Sequence, residues 1–351
     1  MITQKPFGKV NGQEVTLYTM TNNSGWSCSV TNYGGILVSI NVPDKDGNLG
    51  DILLGCKSVE GYIPTNGYVG ALIGRVGNRI DSGKATLNGV ELTLAKNDGG
   101  VNHLHGGNVG FNEKIWNVEP VEEGGYDKLV LTTTSPDGEE GYPGNMDVKV
   151  TYAFTNCGKL VIHYEATSDK DTLCNLTNHA YFNLNGEGGN KVTEQIMQIN
   201  ADYFTPVGAS LIPTGEKRPV DGTPFDLRKG VRIGDRIDDT TDEQIRYGGG
   251  YDHNFCLNGE GMREGAKVTD PASGRVMTMY TDLPAVQFYA ANMLNTMVGK
   301  CGREYGPRDG LCLETQTYPD AINHPEFPTC VLKAGEKYDT KTIYEFSTLA
   351  E

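Results

Sequence analysis

One stretch near the middle of the chain, MDVKVTYAFTNCGKLVIHYEATS, constrains the fold more than any other. Apolar residues occupy alternate positions on both sides of its short TNCG segment: Val148, Val150, Tyr152 and Phe154 before it, and Leu160, Ile162 and Tyr164 after it. Because successive side chains of a strand point to opposite faces, this alternation predicts a β-hairpin with one buried face. His163 is out of phase with the apolar row, so we expect it on the other face.

Similar but shorter segments run along the rest of the chain. Further strand candidates are SCSVTNYGGILVSINV, KLVLTTT, EQIMQIN, RVMTMYT, AVQFYAAN and TIYEFS. The 46 glycines and 16 prolines are spread between such segments, as turn residues are, and are not concentrated in one linker. The nearest helical candidate, around Asp242 to Tyr247, is short. We therefore predict an all-β protein, a large antiparallel β-sandwich, with a single domain over residues 1–351.

Charge and composition exclude several classes of partner. The net charge is −15 and no Lys/Arg-rich run is present, which argues against nucleic acid, since phosphate binding needs clustered cations. No stretch approaches the about 18 consecutive apolar residues of a membrane span, and the N-terminus lacks the apolar run of a signal peptide. The eight cysteines show no close pairing, which is typical of free buried thiols in a reducing compartment. We therefore expect a cytoplasmic protein.

The segment NDGGVNHLHGGNVGF, residues 97–111, raises the question of a metal site. His103 and His105 are separated by one residue, and on a strand such a pair puts both rings on one face, as in some metal sites. The nearest following carboxylate is Glu113, however, and no complete ligand set is visible. We therefore favour a site without a metal and keep metal catalysis as an alternative.

Two further residues suggest acid–base chemistry. His179 lies in NLTNHAYFNL, where many amide side chains indicate a wet, hydrogen-bonding cleft. Glu314, in GLCLETQTYPD, lies at the polar end of an apolar strand, where the pKa of a carboxyl group is often altered. Each of them, read alone, also fits a structural, hydrogen-bonded residue.

Binding residues are suggested by two glycine-containing segments. Asp252 and His253 follow a glycine run in GGGYDHNFCL. GALIGRVGNRI contains neither GxGxxG nor GxxxxGK[ST], so a phosphate loop is not expected there. Its Arg75 and Arg79 are four positions apart, and we expect at least one guanidinium to reach a cleft as a hydrogen-bond donor.

Seven blocks, taken in order, resemble the motif series of the aldose 1-epimerases, or galactose mutarotases: GRVGNRI, NHLHGG, SPDGEEGYPG, NLTNHAYFNL, YDHNF, VQFYAAN and LETQTYPDAINHPEFPTCVLKAGEKY. The resemblance runs from about Asp51 to Phe346. It implies a galactose mutarotase-like supersandwich with an open cleft for a free hexose such as galactose or glucose. It also implies an isomerase that needs no cofactor and no metal.

The resemblance further implies roles for particular residues. Glu314 in LETQ falls on the general base, His179 in NHAYFNL on the general acid, and His105 on a second active-site histidine. The sugar-binding positions fall on Arg79, Asp252 and Gln287. His103 matches no active-site position, and the spacing of NDGGVNHLHGG is slightly longer than the usual form.

The expected chemistry suits these groups, because anomer exchange requires the sugar ring to open. A base takes the proton of the C1 hydroxyl while an acid protonates the ring oxygen, without redox chemistry. Three alternatives remain. A sugar-binding protein without activity would lack the Glu or the His of these motifs, and an enzyme for phosphorylated hexoses would need further Lys or Arg. A metalloenzyme would be inhibited by a chelator. The sequence is compatible with an oligomer without specifying one, and it does not rank the aldoses.

Overall fold

Antiparallel strands make up most of the regular structure in the computed structural model, which describes residues 1–63, 68–123, 126–294 and 297–349. The first ten strands are β1 (Ile2–Val10), β2 (Gln13–Thr21), β3 (Ser27–Thr31), β4 (Leu37–Pro43), β5 (Leu49–Asp51), β6 (Leu72–Ile73), β7 (Arg79–Ile80), β8 (Lys84–Leu87), β9 (Val90–Thr93) and β10 (His103–Leu104). The next ten are β11 (Asn117–Val121), β12 (Tyr126–Ser135), β13 (Met146–Thr155), β14 (Lys159–Ser168), β15 (Thr172–Leu173), β16 (Thr177–Asn178), β17 (Ile196–Ile199), β18 (Ala201–Thr205), β19 (Arg218–Pro219) and β20 (Val231–Arg232). The others are β21 (Asp252–Leu257), β22 (Arg263–Thr269), β23 (Arg275–Thr281), β24 (Ala285–Tyr289), β25 (Met297–Val298), β26 (Glu304–Tyr305), β27 (Cys312–Gln316), β28 (Val331–Leu332) and β29 (Lys337–Thr348).

Helical structure is confined to short segments. The α-helix α1 (Glu243–Gly248) lies where the sequence offered its short helical candidate. The side chain of Asp242 accepts hydrogen bonds from the main chain of the first turn, and Gly249 ends the helix at a φ of +62°. Single turns of 3₁₀ helix span Val59–Gly61, Asp81–Gly83, Phe111–Glu113, Glu139–Gly141, Val192–Glu194, Ile233–Asp235 and Ala321–Asn323.

The predicted hairpin is formed by β13 and β14. Its register runs from Met146 opposite Ser168 to Phe154 opposite Leu160, and the turn contains Gly158 at a φ of +76°. The apolar row that alternates along both strands is buried. As predicted, His163 lies on the other face, where its Nε2 is 2.7 Å from an oxygen of Asp339. Local alternation therefore determined both strands and their buried face.

Three large sheets dominate the architecture. The largest has nine strands in the order β11-β12-β13-β14-β29-β23-β22-β17-β20. A second sheet is β1-β2-β3-β4-β5, and a third is β19-β18-β21-β24-β27. The short strands pair as β7 with β10, β6 with β16, β15 with β28, β8 with β9 and β25 with β26.

One continuous apolar core joins the three sheets. It includes Leu131 and Tyr152 of the nine-stranded sheet, Val30 of the β1–β5 sheet, and Phe255 and Phe288 of the third sheet. Burying a side chain of this kind contributes roughly 1.5–3 kcal/mol. The three antiparallel sheets therefore pack against a shared core, which confirms the predicted antiparallel sandwich. That residues 1–351 form a single domain stays a prediction.

Two compositional expectations have structural outcomes. All eight cysteines are free thiols, as predicted; six are buried, whereas Cys157 and Cys301 are exposed. In the part of the chain that the structure describes, no helix is both long enough and apolar enough to cross a membrane. The cytoplasmic location stays a prediction.

Candidate active site

The third sheet places three of the expected site residues on one face. Strands β21, β24 and β27 are neighbours, and Gln287 of β24 lies directly opposite Glu314 of β27. Asp252, at the start of β21, accepts a hydrogen bond of 2.8 Å from Nε2 of Gln287 through its Oδ1. All three side chains are buried. Strand register thus brings together residues from three distant parts of the sequence.

The histidines and Arg79 come from short two-stranded pairs beside this sheet. His179 directly follows β16, and its Nε2 lies 3.6 Å from Oε1 of Glu314. His105 directly follows β10, which pairs with β7, the strand that begins at Arg79. The His105 and His179 rings are nearly perpendicular, with centroids 5.2 Å apart. The main-chain N–H of Asn78 donates to Nδ1 of His105 at 3.0 Å, which fixes the orientation of this ring.

These residues surround a small cavity of about 180 Å³. Among the described residues that line it are five of the six that the sequence predicted: Arg79, His105, His179, Asp252 and Glu314. The sixth, Gln287, is buried beside the cavity and reaches it through Asp252. The sequence analysis missed seven lining residues: Tyr68, Asn78, Leu104, Tyr181, Tyr289, Met293 and Leu294. Alternation could have identified Tyr181, two positions after His179, whereas nothing in the sequence around Tyr68 or Met293 marks them.

The glycines after His105 are required by close backbone packing. His105 has a φ of +51°, and Gly106 and Gly107 follow at +89° and +112°. A Cβ atom on Gly106 would lie 1.9 Å from the carbonyl oxygen of Gly74, and one on Gly107 would lie 2.1 Å from a carboxylate oxygen of Glu140. At Gly106 a side chain would collide with the backbone, and at Gly107 the φ of +112° strains any residue other than glycine. The turn can therefore bring His105 into the cavity wall.

His103 is not among the described residues that line the cavity, as expected of a residue that matches no active-site position. This residue is fully buried, its Nδ1 lies 2.8 Å from the carbonyl oxygen of Ala95, and its Nε2 is hydrogen-bonded to the hydroxyl of Tyr142. The left-handed backbone at His105 breaks the strand alternation on which the pairing hypothesis rested. A different set of ligand atoms, from His105, His179 and Glu314, lies within 4.8 Å of one another and could hold a metal ion.

Burial sets the protonation of the acid–base pair. The pKa of Glu314 is raised well above its usual value, chiefly by burial and then by the neighbouring Asp252, while Arg79 opposes the shift. Burial lowers the pKa of His179 to about 4. Oε2 of Glu314 has no hydrogen-bond partner within the described ranges. Because both shifts favour the neutral form, a single proton held by the pair lies on Glu314 rather than on His179.

Burial also shifts the pKa values of His105 and Asp252, two further groups of the cavity wall, toward their neutral forms. Burial lowers the pKa of His105 well below its usual value, and the nearby His179 and Arg79 lower it further. Burial raises the pKa of Asp252, while Arg79 and the hydrogen bond from Gln287 oppose that shift. His105 is therefore a neutral imidazole near neutral pH, and we expect it to contact a ligand as a hydrogen-bonding group rather than as a cation.

The two arginines that the sequence singled out have different surroundings. Arg75 is buried and donates to main-chain carbonyl groups of Ser135, Pro136, Pro143 and Gly144. Arg79 lines the cavity, and its Nε donates to Oδ2 of Asp98 at 2.7 Å. The expectation that at least one arginine reaches a cleft is therefore met by Arg79.

The amide side chains around His179 do not form the wet cleft that the sequence suggested. Asn175, Asn178 and Asn183 are buried, and their amide groups donate mainly to carbonyl oxygens of the main chain. They brace the segment that carries His179, because each bond fixes the chain against a neighbouring loop or strand.

The cavity of this β-sandwich holds a buried carboxyl group beside an imidazole, an arginine and tyrosines. Such a site is typical of an enzyme that transfers protons on a small polar ligand. A family model described as aldose 1-epimerase matches residues 16–345. The chain belongs to this family, as the resemblance of its motifs implied.

Named relatives and solved structures agree with this assignment. The chain is 44% identical to a bovine galactose mutarotase over 324 residues, which cover 92% of this chain and 89% of the relative. It is 36% identical to an aldose 1-epimerase of Escherichia coli strain K12, with 99% of both chains covered. The crystal structure of a galactose 1-epimerase from Lactobacillus acidophilus superposes with a TM-score of 0.88 at 30% identity, covering 100% of this chain and 99% of the other.

Proposed function

We propose that this protein is a cofactor-independent aldose 1-epimerase that interconverts the α and β anomers of free hexoses such as galactose and glucose. The observation that carries the proposal is the buried Glu314 carboxyl group, whose Oε1 lies 3.6 Å from Nε2 of His179 at the cavity wall. The names of the bovine and Escherichia coli relatives support the same reaction.

In the proposed mechanism Glu314 and His179 each exchange one proton with the sugar. Glu314 takes the proton of the C1 hydroxyl, His179 donates a proton to the ring oxygen, and the C1–O5 bond breaks. The open aldehyde rotates about C1–C2, and closure on the other carbonyl face reverses both transfers. The pair holds one proton before and after the reaction, so no external acid, base or oxidant is needed.

Burial makes this pair suitable for proton transfer. Burial favours a protonated carboxyl and a neutral imidazole. Moving the shared proton from Glu314 to His179 gives the working form, in which a carboxylate and an imidazolium stabilise each other at short range. In this form Glu314 can take a proton and His179 can give one, and ring closure reverses the two transfers.

The remaining cavity residues can hold a sugar by its hydroxyl groups. Arg79 donates hydrogen bonds and Asp252 accepts them, and the bond from Gln287 fixes the orientation of the Asp252 carboxylate. Tyr181 and Tyr289 add aromatic surface for the apolar face of a sugar ring. Arg79 is the one Lys or Arg among the described lining residues, which favours an uncharged hexose over a phosphorylated one.

Polarimetry of freshly dissolved α-galactose tests the proposal. We expect the protein to accelerate the approach to anomeric equilibrium, and Glu314→Gln to reduce kcat by roughly 10²–10⁴-fold, because a positioned acid–base group contributes about that much. The matched control is Glu165→Gln, which removes a carboxylate from the outer face of the nine-stranded sheet and should leave the rate unchanged. A Glu314→Gln variant with full activity would contradict the assignment of the base.

A metal-dependent reaction is the second candidate, because the ligand atoms of His105, His179 and Glu314 lie within 4.8 Å of one another. Such an ion would occupy the groups that proton transfer requires. We expect the rate to be unaffected by a chelator and the purified protein to contain no stoichiometric metal. A rate that is lost with chelator and restored by a divalent cation would establish the metal-dependent alternative instead.

A further inference from the structure

Asp98 occupies a rigid position in the NDGGVN segment, to which the sequence analysis assigned no function. Gly99 and Gly100 have φ values of +60° and +72°, and the N–H of Val101 donates to the carbonyl oxygen of Asp98 at 3.0 Å. Two consecutive residues with positive φ are typical of a tight two-residue turn, which here begins at Asp98. The side chain of the preceding Asn97 is fixed as well, because its Nδ2 donates to the carbonyl oxygen of Leu104 and its Oδ1 accepts from the N–H of Leu104.

The carboxylate of Asp98 contacts Arg79 through only one of the guanidinium nitrogens. Oδ2 accepts a hydrogen bond from Nε at 2.7 Å, and the Arg79 and Asp98 side chains are 12% and 28% exposed. Within the described ranges, neither terminal nitrogen of Arg79 has a hydrogen-bond partner. A charge-assisted bond to Nε restrains the guanidinium and leaves its two terminal amino groups available to a ligand in the cavity that Arg79 lines.

Two buried carboxyl groups compete with Asp98 for Arg79. The positive charge of Arg79 already acts to lower the pKa of both Glu314 and Asp252. Among the described residues, however, Arg79 forms an ion pair with neither of them; its ion-pair partner is Asp98. An unrestrained guanidinium would move toward either carboxyl group when that group is ionised, because opposite charges attract more strongly where water is excluded.

We propose that Asp98 is a positioning residue: its carboxylate holds Arg79 at Nε, so that the terminal amino groups of Arg79 face the sugar and Glu314 stays free to accept the C1 hydroxyl proton. This inference rests on the proposed function of the same cavity. Asp98 itself touches neither the reacting atoms nor the acid–base pair; it acts through Arg79.

The test compares Asp98→Asn and Asp98→Ser with Asp98→Glu by polarimetry on galactose over a range of pH. Both uncharged variants keep a hydrogen-bonding side chain at the start of the turn. We expect each to raise KM by roughly tenfold or more, because the sugar loses a pre-positioned donor. We also expect the alkaline limb of kcat/KM to move to lower pH by about one unit, because Arg79 then approaches Glu314. Asp98→Glu should restore much of both properties.

The pH readout separates positioning from a structural role, since a loosened turn alone would not move the limb. The titratable groups facing Glu314 are Arg79, Asp252, His105 and His179, together with Cys312 and the tyrosines Tyr181, Tyr289 and Tyr344, whose pKa burial raises. Around Asp98 and Arg79 lie Tyr68 and Glu113. The charge of Asp98 also raises the pKa of Asp252 directly, and both uncharged variants remove that charge. A shift of the limb therefore reports the displacement of Arg79 only when KM rises with it.

Asp235→Asn is the matched control, because Asp235 also pairs with an arginine, Arg232, but on the exposed surface. It should leave KM and the pH profile unchanged. Wild-type KM and pH profile in Asp98→Asn or Asp98→Ser would overturn the inference, as would a lower kcat with no movement of the limb. If the wild-type protein itself failed to accelerate mutarotation, the proposed function would fail, irrespective of Asp98.

Discussion

Two clusters in this molecule contain the same residue types and differ in their surroundings. In the outer cluster, on the exposed face of the nine-stranded sheet, His163 contacts Asp339 at 2.7 Å and lies 3.8 Å from Glu165. In the cavity cluster, His179 lies 3.6 Å from Glu314 with His105 beside it. Both clusters bring imidazole and carboxylate atoms within 4.8 Å of one another.

The pKa of Glu165 in the outer cluster and the pKa of Glu314 in the cavity cluster are shifted in opposite directions. Partial burial tends to raise the pKa of Glu165, but hydrogen bonds from Lys149 and Lys337 outweigh it, and the pKa is lowered. Glu314 is fully buried, no lysine in the part of the chain that the structure describes pairs with it, and its pKa is raised well above the usual value. Desolvation that Arg79 only partly offsets, rather than residue type, therefore makes one cluster a candidate for acid–base catalysis.

The largest expected effect separates the two histidines. His179→Asn should lower kcat by about 10²–10⁴-fold, because Asn cannot donate a proton to the ring oxygen. His163→Asn makes the same chemical change in the outer cluster and should leave kcat and KM unchanged. The measurement is the initial rate of mutarotation at saturating galactose. Equal losses in both variants would remove the distinction between the clusters.

The pH dependence of activity should reflect the buried pair. Burial lowers the pKa of His179 to about 4, so below that pH both His179 and the carboxyl group of Glu314 carry a proton. No group is then free to accept the C1 hydroxyl proton, and the rate should fall about tenfold per pH unit. At the other end, activity should persist until the pH exceeds the raised pKa of Glu314. Circular dichroism at each pH confirms that the fold is intact. An acid limb near pH ~6.5, the ordinary histidine value, would contradict the effect of burial.

The smallest expected effect concerns stability. The pKa of Glu314 is raised on folding, so this residue destabilises the folded state as pH rises from the unfolded pKa through the folded one. Glu314→Gln should therefore stabilise the protein, by about 1 kcal/mol or more, with a larger gain at about pH 8 than at about pH 4.

Glu165→Gln should act in the opposite direction. The lowered pKa of Glu165 contributes stability above its unfolded value, which is lost as pH falls through the folded value. Because Glu165→Gln removes the ion-pair partner of Lys149 and Lys337, it should lower the free energy of unfolding by up to about 1 kcal/mol. Urea denaturation at the two pH values measures both variants, and a destabilised Glu314→Gln protein at the higher pH would contradict the desolvation argument.

The parts of the fold and the site that the sequence predicted share one property: they depend on local pattern. The hairpin β13–β14 and the position of His163 on its outer face followed from alternation. The motif series also predicted that Arg79, His105, His179, Asp252 and Glu314 belong to one site, and these residues line one cavity. Their catalytic and binding roles stay predictions until the variants are measured.

The errors in the sequence interpretation have a common physical cause. Hydrogen-bonding partners far along the chain decide whether a polar side chain lines a cavity or braces a strand. Asn178 therefore bonds to the main chain of Gly70 instead of lining a wet cleft. His103 and His105 separated because one residue adopted a left-handed backbone, which strand alternation does not foresee.

By itself the sequence determined which segments become strands, which faces they bury and which residue types the site contains, because these depend on period and on neighbouring residues. Only the tertiary structure decided which polar groups meet in the cavity: that Arg79 pairs with Asp98, and that Glu314 lies beside His179. It also decided their pKa values, since desolvation depends on the surrounding atoms, which here come from strands in several distant parts of the chain.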